Sequence, residues 1–124
     1  MKNDQTNEKL KCIISALDSK RAENIKAIGI KDLTIIADYF IIANGDSTTQ
    51  TKALADEVEY QMKQKFGIDP HHTEGYSASN WIVLDYEDIV VHVFYTQTRE
   101  HYNLERLWAD GEEIDITPFV VKEE

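Results

Sequence analysis

The chain has 124 residues, of which 42% are hydrophobic, 29% charged and 10% aromatic. That is enough chain for one core and too little for two, and the mix excludes disordered and collagen-like chains. Thirteen Lys and Arg against 23 Asp and Glu give a net charge of −10, which disfavours direct binding to a phosphate backbone.

The acidic excess is uneven. Residues 85–124 hold 11 acids and 3 bases, a net −8, whereas residues 1–84 hold 12 and 10, a net −2. A basic protein surface would suit the carboxyl half, although solubility alone also explains the charge. The longest apolar run, Tyr39 to Ala43, is far short of the ~20 residues of a membrane span. The amino end, Met1 to Glu8, has no apolar signal core, which points to the cytoplasm. A single cysteine, Cys12, excludes an internal disulfide and a cysteine-rich zinc site.

In chain order, Leu10, Ile13, Ile14 and Leu17 lie on one stripe of an amphipathic helix over residues 4–20. Asn24 to Ile30 reads as a short strand, and residues 31–34 as a turn or brief link. Ala37 to Asn44 holds five consecutive apolar residues, the pattern of a central strand covered on both faces. Gly45 ends it, and Asp46 and Ser47 are both suitable N-caps for a second helix carrying Leu54, Ala55, Val58, Met62 and Phe66. Gly67 should end that helix in the left-handed conformation, with Pro70 blocking its resumption.

His71 to Glu74 suits a short edge strand, followed by a loop over residues 75–79. Trp81–Tyr86 and Ile89–Tyr95 are β-branched and aromatic runs separated by only Glu87 and Asp88, which predicts an antiparallel hairpin. Thr96 or Thr98 should start a short helix through Tyr102, and Leu104, Leu107 and Trp108 continue an apolar stripe. Beyond Asp110 the chain is acidic, with Ile114, Ile116, Phe119, Val120 and Val121 able to dock on a core. This order predicts one α+β (α/β) domain over residues 1–124, a mixed sheet of about five strands with helices packed on it.

Candidate chemistry is sparse. The Gly45-Asp46-Ser47 helix start could offer backbone N–H groups to an anion, and Asp85 and Asp88 add carboxylates nearby; together they resemble parts of a nucleotidyltransferase site. Asp46 would repel a phosphate there, and Asp85 and Asp88 flank a turn rather than converge. His71 and His72 are adjacent, so in a strand they point to opposite faces and lack a second ligand pair for a metal. His92 stands alone in an apolar strand, the usual setting of a hydrogen-bonded core or interface histidine. No serine or cysteine is singled out as an activated nucleophile. The run Arg99 to Trp108 is dense in the residue types that dominate interfaces, but could equally complete the core.

Four blocks carry a resemblance: Ala37-Asp38-Tyr39-Phe40-Ile41-Ile42-Ala43-Asn44-Gly45; Lys52-Ala53-Leu54-Ala55-Asp56-Glu57-Val58; Trp81 to Tyr86 with Asp88 to Phe94; and Arg99-Glu100-His101-Tyr102-Asn103-Leu104-Glu105-Arg106-Leu107-Trp108. In this order they resemble the ribosomal silencing factor, or Iojap, family from about residue 4 to 110, departing at His101, where the family has phenylalanine. The acidic tail after residue 110 lies outside that resemblance. It implies a nucleotidyltransferase-like fold with no catalytic role, no cofactor and no metal. It also implies a cytoplasmic translation repressor. Such a protein binds the large ribosomal subunit through a basic ribosomal protein, the one numbered fourteen, and blocks joining of the small subunit when nutrients are scarce. Little direct nucleic-acid contact and no membrane are expected, and a homodimer is left open. The expected partner-binding residues are Trp81, Asp85, Tyr86, His92, Glu100, Tyr102, Asn103, Leu104, Glu105 and Trp108. Strand alternation, however, sets Trp81, Val83 and Asp85 on one face and Ile82, Leu84 and Tyr86 on the other, so Trp81 and Tyr86 do not share a face unless Tyr86 stands at the end of the hairpin. Two rivals remain, a nucleotidyltransferase-like enzyme and a homo-oligomeric interaction module.

Overall fold

The structure, a computed structural model, describes residues 2–30, 37–102, 111–117 and 120, and the side chains of residues 5–30, 37–99, 111–117 and 120 among them. The elements run α1 (Lys2–Ser19), β1 (Glu23–Gly29), β2 (Tyr39–Gly45), α2 (Thr48–Phe66), β3 (His72–Glu74), β4 (Trp81–Asp85), β5 (Ile89–Tyr95), α3 (Thr96–Tyr102) and β6 (Glu112–Ile114). The strands form one six-stranded sheet in the order β3-β4-β5-β2-β1-β6. The central pair, β2 and β5, is parallel; the other pairs are antiparallel. The fold is therefore α+β, and the described residues supply six strands where the order of elements predicted about five.

The additional strand is β6, which pairs with β1 through Ala27↔Ile114, Ile28↔Glu113 and Gly29↔Glu112. Two of its three residues are glutamates, so it shows no apolar alternation; backbone pairing makes it a strand, and its charge suits an edge. Ile114, Ile116 and Val120 pack partly buried against the core, as expected for docking residues of the tail. Phe119 and Val121 lie outside the described residues.

Parallel pairing of β2 with β5 requires a crossover, and α2 begins it on one face of the sheet. There Leu54, Ala55, Val58 and Met62 of α2 join Leu10, Ile13, Ile14 and Leu17 of α1 over Ile41, Ala43, Ile82, Leu84, Val91 and Val93. Cys12 is buried in the same layer, and burial pushes its thiol pKa up. The other face of the sheet carries Ile28, Ile30, Phe40, Ile42, Val90 and Phe94, with Trp81 and Val83 packed beside them. Apolar residues on both faces of β2 and β5 match the apolar runs of their sequences, broken within β5 only by His92.

Local signals place the ends. Ser47 is the N-cap of α2, its hydroxyl accepting from Gln50 N, and Gly67 closes the helix at φ 67° with its N–H on Lys63 O. The β4–β5 turn closes with Tyr86 N donating to Ile89 O, and Glu87 sits at φ 81°. The neighbouring Asp88 ties this turn to two elements. Its carbonyl accepts from Asp38 N and Tyr39 N at the start of β2, and its Oδ2 accepts from Thr6 Oγ1 at 3.0 Å and Lys9 Nζ at 3.4 Å on α1.

Candidate functional site

The hairpin divides its expected contact residues between the two faces, as alternation predicted. Trp81, Val83 and Asp85 stand on the face away from α1 and α2, whereas Tyr86 belongs to the helix-covered core. Tyr86 is 4% exposed, and its hydroxyl has no hydrogen-bond partner among the described residues. Burial, then the carboxylate of Glu59, pushes that phenol pKa well above its ordinary value. A hydroxyl so placed is not available to a surface partner.

On the opposite face Trp81 and His92 form a unit. The indole Nε1 donates to His92 Nδ1 at 3.2 Å, and the Trp81 ring stacks on Phe94 at 4.9 Å between centroids. Phe40 meets the imidazole edge-on at 4.7 Å. Accepting at Nδ1 puts the imidazole proton on Nε2, which is buried and has no partner among the described residues. Burial pushes the His92 pKa down to about 4, so the ring is neutral near pH 7 and orients Trp81 rather than carrying charge. His92 is 7% exposed, whereas Trp81 and Asp85 are half-buried. Asp85 Oδ1 accepts from Glu87 N at 2.8 Å, which holds the carboxylate at the end of the hairpin.

The remaining expected contacts follow directly in the chain. Glu100 and Tyr102 lie on α3, with side chains outside those described, and Asn103, Leu104, Glu105 and Trp108 lie outside the described residues. What holds α3 is described, and it is a buried polar cluster that the candidate list above does not contain. Arg99 and Asn44 are 7% and 1% exposed. Arg99 Nη1 donates to Asn44 Oδ1 at 2.7 Å and to Asn24 O at 2.6 Å. Asn44 Nδ2 donates to Thr96 Oγ1 at 2.9 Å and to Glu23 Oε1 at 3.3 Å, and Thr96 Oγ1 donates to Gly45 O at 2.9 Å. The one sequence signal was Asn44 itself, a polar residue closing an otherwise apolar strand.

The helix start at Gly45 is built for packing. A Cβ on Gly45 would lie 3.1 Å from Thr51 N and 3.2 Å from Gln50 Oε1, so glycine lets α2 sit close on β2. Gln50 Oε1 accepts from Asp46 N at 2.7 Å while Ser47 Oγ accepts from Gln50 N, a near relative of the capping box. Gln50 Nε2 also donates to Lys20 O and Arg21 O, joining α2 to the α1–β1 turn. Asp85 stands opposite Val90, and Val90 opposite Phe40, five residues before Gly45. That is about 16 Å along the strand, so Asp85 and Gly45 do not converge. His71 pairs with Glu87 and His72 with Glu74 at the exposed edge. Among the described residues no group of three or more His, Cys, Asp or Glu is placed to hold a metal ion. Among them, too, no helix is long and apolar enough to cross a membrane.

Residues 3–124 match the family model described as ribosomal silencing factor during starvation, RsfS. The match runs past residue 110, where the resemblance read from the sequence stopped, and takes in β6. Ribosomal silencing factor RsfS of Bacillus subtilis is 40% identical over 107 residues, covering 86% of this chain and 90% of that protein. That of Halalkalibacterium halodurans is 38% identical over 109 residues, covering 88% and 92%. The mouse protein named mitochondrial assembly of ribosomal large subunit protein 1 is 33% identical over 99 residues, covering 78% of this chain and 43% of its own length. A crystal structure of a Chromobacterium violaceum protein superimposes with a TM-score of 0.80 at 31% identity, covering 95% of this chain and 89% of that one. On the strength of a match along almost its whole length, the chain belongs to the RsfS family of ribosomal silencing factors, regulators of translation that act on the ribosome.

Proposed function

We propose that the chain represses translation by binding the large ribosomal subunit through a basic ribosomal protein, the one numbered fourteen, on the face that meets the small subunit. The bound domain then occupies volume that the small subunit needs, and no bond is made or broken. The observation that carries this reading is the hairpin face on which Trp81 is stacked on Phe94 and held by His92, with Asp85 at its end. An oriented, half-exposed indole beside a carboxylate suits a basic partner with an apolar patch. In this reading Trp81 and Asp85 contact the partner together with Glu100, Tyr102, Asn103, Leu104, Glu105 and Trp108, while His92 supports Trp81 from beneath and Tyr86 stays in the core. The net −8 of residues 85–124 steers the encounter and keeps the domain off bare RNA.

The separation of Asp85 from Gly45, and the engagement of the α2 start by Gln50, weigh against the nucleotidyltransferase reading. Gradient sedimentation with isolated ribosomal subunits tests the proposal. The protein should travel with large and not small subunits, and should inhibit their joining when added first. Equal binding to both subunits, or to neither, would sink it.

A further inference from the structure

We propose that Arg99 is the positioning residue of the partner-binding segment: it locks α3, which carries Glu100 and Tyr102, on the carboxyl end of β2. The inference rests on the reading above, in which residues 100–108 meet the large subunit.

A seven-residue helix does not hold itself together in water. The hold on α3 comes from Thr96 and Arg99, three residues apart and so on one side of the helix. Thr96 reaches Gly45 O and Asn44, and Arg99 reaches Asn44 Oδ1 and Asn24 O. The backbone of β1 is shaped to this contact. Between Glu23 and Lys26 its register slips against β2, with Asn24 and Ile25 facing the single residue Ala43, and Asn24 adopts φ 51°. That bulge is where the Asn24 carbonyl meets the guanidinium, 2.6 Å from Nη1.

Three distant stretches, residues 23–24, 44–45 and 96–99, thus converge on one buried side chain. An apolar residue of similar volume would serve stability as well or better, because a buried charge is costly to desolvate. The guanidinium does what an apolar group does not: it fixes direction, because the two N–H bonds of Nη1 lie in the guanidinium plane and meet two acceptors. Lysine keeps the charge and lacks that planar geometry.

The test uses the full chain and purified large subunits, at a temperature well below each variant's melting midpoint. In Arg99→Lys, amide exchange in α3 should quicken at least tenfold while exchange in α2 stays unchanged. Affinity for large subunits should fall at least tenfold, mainly through slower association, because fewer molecules hold α3 in the binding orientation. Thr96→Val should act in the same direction with a smaller effect. Asn24→Gly keeps the carbonyl and relieves the left-handed conformation. The double variant Asn24→Gly/Arg99→Lys, in sucrose if the glycine alone is not enough, should regain the wild-type melting temperature without regaining affinity. Affinity that returns together with the melting temperature assigns Arg99 a merely structural role and overturns the inference, as does Arg99→Lys binding like wild type. Wild-type protein that does not bind large subunits overturns the underlying reading instead.

Discussion

On the helix side of the sheet, Ile82, Leu84 and Tyr86 meet α1 and α2; on the other side, Trp81, Val83 and Asp85 of the same hairpin arm stand beside His92. On each side a ring carries a buried polar atom with no partner among the described residues, the Tyr86 hydroxyl and His92 Nε2. Loss of water acts on both groups, with opposite signs: it pushes the phenol pKa up and the imidazole pKa down, because in each case the charged form is the one penalised. Both groups are therefore neutral near pH 7. The difference lies in what the rest of each ring does. Tyr86 fills core volume. His92 spends its other nitrogen on Trp81, and so fixes a side chain that is still half-exposed.

The largest expected effect breaks the comparison by packing. Leu84 is fully buried on the helix side, whereas its neighbour Val83 is half-buried on the other. Leu84→Ala should cost ~2–5 kcal/mol of folding stability through lost burial and a cavity, and Val83→Ala clearly less. Denaturant melts of the two variants measure this directly. Equal losses would mean that the two faces are packed alike and that the Trp81 face is as closed as the helix face.

The next effect comes from His92. Its folded pKa of about 4 lies below the ordinary value of 6.5, so the protonated form favours the unfolded chain. The stabilising contribution is complete above pH 6.5 and is lost as pH falls from 6.5 toward 4. It amounts to about 3 kcal/mol over that window, from the shift alone. Urea midpoints between pH 4 and 7 should show this slope, and His92→Gln, which does not titrate, should remove it. A slope unchanged in His92→Gln would assign the acid sensitivity to other groups and free His92 from the buried unit.

Much of this arrangement was legible because it is local. Alternation along Trp81–Tyr86 was enough to separate Trp81 from Tyr86, and the structure keeps them on opposite faces. Ser47 and Gly67 marked the ends of α2 through cap chemistry that acts within a few residues. The parts that escaped depend on distant pairing. The strand β6 has two glutamates in three residues and exists through its ladder to β1. Arg99 meets Asn44 across 55 positions, and the bulge at Asn24 has no signature in side-chain type. Tyr86 entered the contact list because it lies within a block of family resemblance, although its place in the alternation already set it against Trp81.

The smallest effect tests that last point. Among the described residues none receives the proton of the buried Tyr86 hydroxyl, so its hydration was given up with no hydrogen bond to them in return. An unsatisfied buried hydroxyl costs ~1–3 kcal/mol, while deleting one oxygen leaves little cavity. Tyr86→Phe should therefore be neutral or stabilise by up to ~1 kcal/mol, and large-subunit binding should stay at the wild-type level. Two measurements on this variant then answer different questions. A loss of stability above ~1 kcal/mol would show that the hydroxyl has a partner, a buried water being the simplest. A loss of affinity at unchanged stability would return Tyr86 to the contact surface, and would require the helix face of the hairpin to open when the ribosome binds. With both outcomes absent, the division of labour between the two faces stands: Tyr86 stabilises the domain, and Trp81 is the side chain displayed to the partner.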